Sequence, residues 1–323
     1  MWGNRLGWIL AVIVLLLEGV AVWAVSSFDR VSAPSDFSSN AQYLAPLNFP
    51  LAATSVVASM TRSDDTGATY RKAIDEVLSD RDAYETFVDS GRDSDIPKLE
   101  AIHLLQDAST SLHAKLFVDD PGQVINYDSD RPKFDALLLA ARCAMRSGLL
   151  LQKSNPPAAQ KQFEAVFSLG WKLYEERLCD AELGAGMDLL GQSAAALQRL
   201  AESGKDLSRA AQLQQFNQTR VQFYESRIKP VRRVLTSIDP KVIAQSVGDY
   251  FYFAKHSKDR AWRTEAILAI GRLQYYVGQD GRAADQTGAR KALNKLVNDP
   301  DPIVRVAATA ARDLTIEQYR MMR

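Results

Sequence analysis

Glu100-Ala-Ile-His103 sets a carboxylate and an imidazole three residues apart, with Asp107 one helical turn further on. On a helix this spacing brings the side chains to one face, as in bundles that hold two irons. Such sites use the motif twice and add two more glutamates, whereas this sequence carries one copy. His103, His113 and His256 are the only histidines, so imidazole acid-base chemistry has few candidates. Asp119-Asp120 and Asp128-Ser-Asp130 bracket a turn and offer oxygen ligands of the kind calcium takes, but lack EF-hand spacing and its closing glutamate. They read as loop and helix-cap aspartates. Cys143 and Cys179 have no nearby Cys or His partner, which excludes a zinc knuckle. No nucleophile elbow, phosphate-binding loop, dinucleotide fingerprint or His-Glu-x-x-His pair is present. No catalytic residue and no cofactor are assigned. Glu100, His103 and Asp107 stay as metal candidates, with a solvated helix face as the competing reading.

The elements that must carry these residues are helices, because apolar positions recur at three and four residues nearly to the end of the chain. Residues 41–60 are mixed and contain Pro46 and Pro50. After Asp65 and Thr66 as caps, Tyr70, Ile74, Val77, Tyr84 and Phe87 line one helix, stopped by Ser90-Gly91. A second helix is expected over 94–113. The stretch from Leu116 to Pro132, with its Pro121-Gly122 turn, holds the only extended segments expected. Pro132 opens a helix through Phe134, Leu137, Ala141 and Met145, and Asn155-Pro156-Pro157 ends it. Phe163, Val166, Phe167, Trp171 and Tyr174 stripe the next. Leu183 to Leu200 forms another, in which Gly184, Gly186 and Gly191 fit close approach of neighbouring helices. Ser203-Gly204 breaks it, and Asp206 caps a helix reaching toward Pro230. Tyr250 to Phe253, ahead of His256, reads as packing.

At the start of the chain, Leu6 to Val25 is twenty residues long with one charge, Glu18, and spans about 30 Å as a helix. Trp8 and Trp23 stand near its ends, where indoles favour the membrane interface. The run predicts a transmembrane helix over 6–25 behind a cytoplasmic stub, 1–5, with the body on the exported side of an inner or cytoplasmic membrane. A cleaved secretory signal is the alternative, and it also exports the body, as a secreted protein. Serine, aspartate and proline then dominate 26–40, the composition of a flexible linker. An oxidising compartment allows a disulfide between Cys143 and Cys179, and two separately buried thiols fit equally.

Residues 136–174 resemble a degenerate tetratricopeptide-type hairpin: AARCAMRSGLLL, a proline-marked turn, then AAQKQFEAVFSLGWKLY, with Ala140, Ala144, Gly148 and Ala159 where such helices touch. The turn is longer than that family's, and no second copy is evident. DRAWRTEAILAIGR from Asp259 and DPIVRVAATAARDL from Asp301 align at an offset of 42 residues, pairing Asp with Asp, Arg263 with Arg305 and Ala266 with Ala308. This D-x-x-[VW]-R-x-x-A-x-x-A helix resembles HEAT-type repeats. The resemblance covers about 242–323. It implies that Arg263 and Arg305 bond across to the neighbouring repeat's turn, with Asp259, Asp299 and Asp301 as partners. A polar loop, Val277 to Gly288, departs from the family pattern.

The expected organisation is all-α, a right-handed α-solenoid-like array of antiparallel hairpins behind the transmembrane helix. It divides into a helical region with turns at 41–131, tetratricopeptide-like helical hairpins at 132–230 and HEAT-like helical repeats at 231–323. Lysine plus arginine and aspartate plus glutamate balance at 39 each, so no basic footprint points to nucleic acid. A membrane-anchored, non-catalytic scaffold or binding module for a protein partner in the cell envelope follows. The alternatives are a metal-dependent helical enzyme and a structural subunit of an envelope assembly.

Overall fold

The computed structural model describes Ser35, Asn40 and residues 41–127, 131–276 and 286–322. The expected transmembrane run, the stub, most of the linker, Asp128 to Asp130 and most of the Val277–Gly288 loop lie outside them. Among the described residues no helix is long and apolar enough to cross a membrane.

Among the described residues the fold is all-α apart from two short strands. Helices α1 (Gly67–Ser79), α2 (Arg81–Ser90) and α3 (Glu100–Ala108) precede four long ones: α4 (Pro132–Leu151), α5 (Pro156–Glu176), α6 (Asp180–Ser203) and α7 (Leu207–Phe223). Then follow α8 (Lys229–Leu235), α9 (Pro240–His256), α10 (Arg260–Arg272), α11 (Gln286–Leu296), α12 (Pro302–Arg312) and α13 (Ile316–Met321). One continuous apolar core runs from Leu47 to Ala311.

Local chemistry explains most of the boundaries. Asn155, Asp239 and Asp301 each cap a helix whose next residue is proline, and their side chains accept amides from Ala158, Lys241 and Ile303 at 3.3, 2.9 and 2.9 Å. Short joints make α4, α5 and α6 successively antiparallel, so α4 and α6 run in the same direction. Helices α5 and α6 cross backbone to backbone. A Cβ at Gly186 would lie 2.7 Å from the Tyr174 amide nitrogen, and one at Gly170 would lie 2.9 Å from that of Leu190. Gly186→Ala is therefore expected to destabilise by about 1–3 kcal/mol despite the ~1 kcal/mol that alanine contributes to helix propensity. Urea unfolding checks this, with Gly184→Ala as comparison. Its Cβ meets nothing nearer than the Arg232 guanidinium at 3.6 Å, so no loss is expected there.

Several boundaries differ from the sequence expectation. The first helix is two, because Asp80 accepts the Ala83 amide at 3.4 Å and restarts the chain as α2. The helix expected over 94–113 is a 3-10 turn, then α3, and then a strand. That strand, β2 (Ser111–His113), pairs in parallel with β1 (Arg62–Asp65), so the extended segments lie here. Among the described residues of 116–132 a 3-10 turn at Pro121–Gln123 stands instead. Pairing over some fifty residues leaves no local periodicity to read. The helix heading for Pro230 passes through it: a π turn at Tyr224–Ile228 widens the backbone, so the proline falls in the first turn of α8, where its missing N–H is harmless. Cys143 and Cys179 are both free and buried.

Residues 41–51 form a strap across the body after one helical turn, Ala41–Leu44. Phe49 inserts among Trp171, Tyr174, Phe216 and Phe223, with ring centroids 5.3–6.1 Å apart in near-perpendicular or tilted contacts. The Lys258 amide donates to Leu44 O at 2.8 Å, and the Arg227 guanidinium donates to Gln42 O at 2.7 Å. The strap thereby touches helices from both halves of the chain.

Candidate functional site

The residues singled out by metal-ligand spacing do not come together as a site. Glu100 and Asp107 are exposed and His103 is half-buried on α3. Among the described residues no three His, Cys, Asp or Glu side chains converge on a point that could hold a metal ion. His256 stacks on Tyr252 at 4.5 Å on the outer side of α9, while Tyr250 and Phe253 are buried.

The paired motif at the carboxyl end places α10 and α12 side by side, so close that a Cβ at Gly271 would lie 2.8 Å from the Ala311 Cα. Arg263 crosses to the turn before α12, with Nη2 3.2 Å from Asp299 Oδ2 and Nη1 3.8 Å from Asp301 Oδ2. It also donates to Ala254 O at 3.2 Å. Arg305, at the equivalent position, turns back to its own turn and donates to Asp299 O and Pro300 O at 2.8 and 2.9 Å. Asp259 is buried beneath the strap. Its Oδ2 accepts the Leu47 amide at 2.8 Å and Arg177 Nε at 3.0 Å, and its Oδ1 caps α10 through Ala261 N at 3.1 Å.

Clefts open on the surface of the described residues, two of them large. One, of about 570 Å³, runs between the like-directed helices α4 and α6 and is bordered by Arg81 of α2 and Arg232 of α8. Leu138 and Leu189 give it an apolar stripe, and Ala181, Gly184 and Ala185 keep one wall low. Arg81, Arg142 and Arg232 face it with Asp135 and Asp188, so both signs of charge are presented. Arg232 is held from behind by Asp180, Nε to Oδ2 at 3.0 Å. The other cleft, about 660 Å³, lies between α1, α2 and the 3-10 turn before α3, and is lined by Glu76, Asp80, Asp82 and Asp95 over Tyr84 and Phe87.

Charges the sequence did not single out lie inside the fold. Lys172 Nζ donates to Ala108 O and Ser168 Oγ at 2.8 Å each and to Tyr70 Oη at 3.1 Å, with no ion pair among the described residues. Burial pushes its pKa down to about 7, against the pull of Asp64. It holds the last carbonyl of α3, where a cation suits the helix end. At the start of α6, Asp180, Glu182, Glu176 and Glu265 gather. Burial raises all four carboxyls, Glu182 most of all, helped by the Glu176 charge, and Glu265 to about 7, helped by Asp180. Glu265 accepts the Asp180 amide at 3.3 Å, and Glu176 accepts Leu116 N and Phe117 N at 2.5 and 2.7 Å. Asp180 Oδ1 and Glu182 Oε1 find no hydrogen-bond partner among the described residues. The amino end of a long helix offers these acids partial compensation. The one sequence signal for them was an acidic first turn after Cys179, which also describes any exposed helix start.

Comparison with protein-family models, with curated proteins and with solved structures finds no match to this chain. What it does must therefore be argued from its own surfaces.

Proposed function

We propose that the chain is a non-catalytic helical-repeat binding module, held by residues 6–25 at an inner or cytoplasmic membrane with its body on the exported side. Its ligand surface is the cleft between α4 and α6. The observation that carries this reading is the cleft itself: two like-directed helices from successive hairpins leave an open groove with an apolar stripe, low walls and charges of both signs. Such grooves accept an extended or helical segment of a protein partner without catalytic groups. The antiparallel hairpins before it and the Arg263 link between α10 and α12 support a solenoid reading, tetratricopeptide-like over 132–230 and HEAT-like over 231–323.

The test is site-specific photocrosslinking in intact cells from Leu138 and Gln192, on the two walls, with Lys161 on the outer face of α5 as control. One discrete adduct from both walls and none from the control is expected. Arg142→Glu should reduce that adduct about tenfold, the equivalent of ~1.4 kcal/mol, while leaving the thermal midpoint unchanged. Adducts of equal strength from all three positions would remove the cleft as the ligand surface.

A further inference from the structure

We infer that the outer face of α9 and the turn after it rest on anionic lipid headgroups. This deepens the proposed anchoring and rests on it. The face is set by helical spacing: Lys241, Gln245, Tyr252, Lys255 and His256 recur at three, four and seven residues and are exposed or half-exposed. Lys258 and Arg260 extend it past the helix end, both exposed. Among the described residues, the acids within α9 and in the turn after it are withdrawn from it. Asp249 is buried and accepts Ser35 N and Oγ at 2.7 and 2.9 Å, and Asp259 is buried against Arg177. From Glu225 to Arg260 there are eight lysines and arginines against four acids. Lys229 pairs with Glu225 and Arg232 with Asp180, and on α9 and the turn after it only Asp239, the cap of α9, stays an exposed acid beside Lys241, Lys255, Lys258 and Arg260. Between Arg62 and Asp107 the balance is reversed, with twelve acids against six bases. The neutral chain thus carries a basic segment that an anionic surface attracts and an acidic segment that it repels.

The tether chooses which end meets the membrane. Ser35 bonds to Asp249 on α9, and only 26–34 separate it from the apolar run. Nine residues reach at most about 30 Å, whatever their conformation. The body is therefore held by α9 within a short distance of the headgroups. At this range each basic side chain adds to its residence on an anionic leaflet, and the attraction fades with salt.

The experiment uses the full chain in vesicles of phosphatidylcholine with or without phosphatidylglycerol, and in detergent. A membrane-impermeant amine reagent is applied, and its yield is read lysine by lysine. Lys241, Lys255 and Lys258 are expected to react at least about threefold more slowly on the anionic vesicles, recovering at high salt. Lys72 and Lys98, exposed at the acidic end, should not change. Equal labelling on both vesicle types overturns the inference while co-flotation leaves the anchor standing. Protection already present in detergent alone also overturns it, since the protein would be covering its own face. So does equal protection in detergent by soluble polyphosphate, which would make the face a general anion surface. Failure to float with either vesicle sinks the anchor and this inference together. Flotation with anionic vesicles alone sinks the anchor and with it the inference that rests on it.

Discussion

Asp259→Ala is expected to lower the unfolding free energy by about 3–5 kcal/mol, the range for removing one partner of a buried ion pair. A lost helix cap alone would cost about 1 kcal/mol. The larger figure follows because the Asp259 side chain is fully buried and Arg177, 14% exposed, would keep its charge in the same place. The Leu47 amide would also lose its acceptor. What remains to Arg177 are the carbonyls of Tyr174, Glu175 and Leu47, which hydrogen-bond but do not neutralise it. The strap should loosen with it, since Leu47 is held by this same cluster. Urea unfolding of Asp259→Ala, Arg177→Met and the double variant checks the argument. The double variant should recover part of the loss, because no charge is then stranded. A loss of only ~1 kcal/mol, with no coupling between the sites, would reduce Asp259 to an ordinary cap.

Glu265→Gln is expected to stabilise the protein, by up to about 3 kcal/mol at pH 8, with little effect near pH 4.5. The sign follows from the raised pKa of this carboxyl, about 7 in the fold against an ordinary 4.5. Below about pH 4.5 it is protonated folded and unfolded, and its contribution is fully present. From there to pH 7 the unfolded chain releases a proton that the fold retains, so stability falls as pH rises. Above 7 the loss is complete, because a carboxylate is then buried beside Asp180. Glutamine keeps an oxygen for the Asp180 amide and removes that charge. Thermal midpoints of both proteins between pH 4.5 and 8 should diverge with rising pH. Parallel curves would show that Glu265 ionises freely. Lys172 acts in the opposite sense: its lowered pKa makes its contribution full above its ordinary 10.5 and lost as pH falls through about 7.

The helical body was legible because its signals are local. A cap such as Asp301 followed by Pro302, or an apolar stripe such as Phe163 to Tyr174, requires only a few neighbours along the chain. The aligned Asp-x-x-x-Arg helices placed Arg263 and Arg305 at matching positions for the same reason. Of the partners the resemblance implied, Asp299 and Asp301 do receive Arg263, whereas Asp259 holds Arg177 and Arg305 bonds back to its own turn. Arg263 meets Asp299 because α12 packs beside α10, whereas the described structure offers Arg305 only its own turn. The β1–β2 pair was invisible because its partners are separated by some fifty residues and neither strand has an alternating pattern. The metal-like spacing of Glu100, His103 and Asp107 was genuine as a helix face, but among the described residues no other element brings ligands to it.

Charge shows the division most clearly. Composition determined that acids and bases balance, and order determined where each stands along the chain. Which of them face water was decided only by packing. Asp249 and Asp259 turn inward, leaving a basic face on α9, while Lys172 and Glu265 are carried into the core with their ionisation altered. A side chain's charge is a property of its type, but its hydration depends on what the fold sets against it, and that comes from distant parts of the chain.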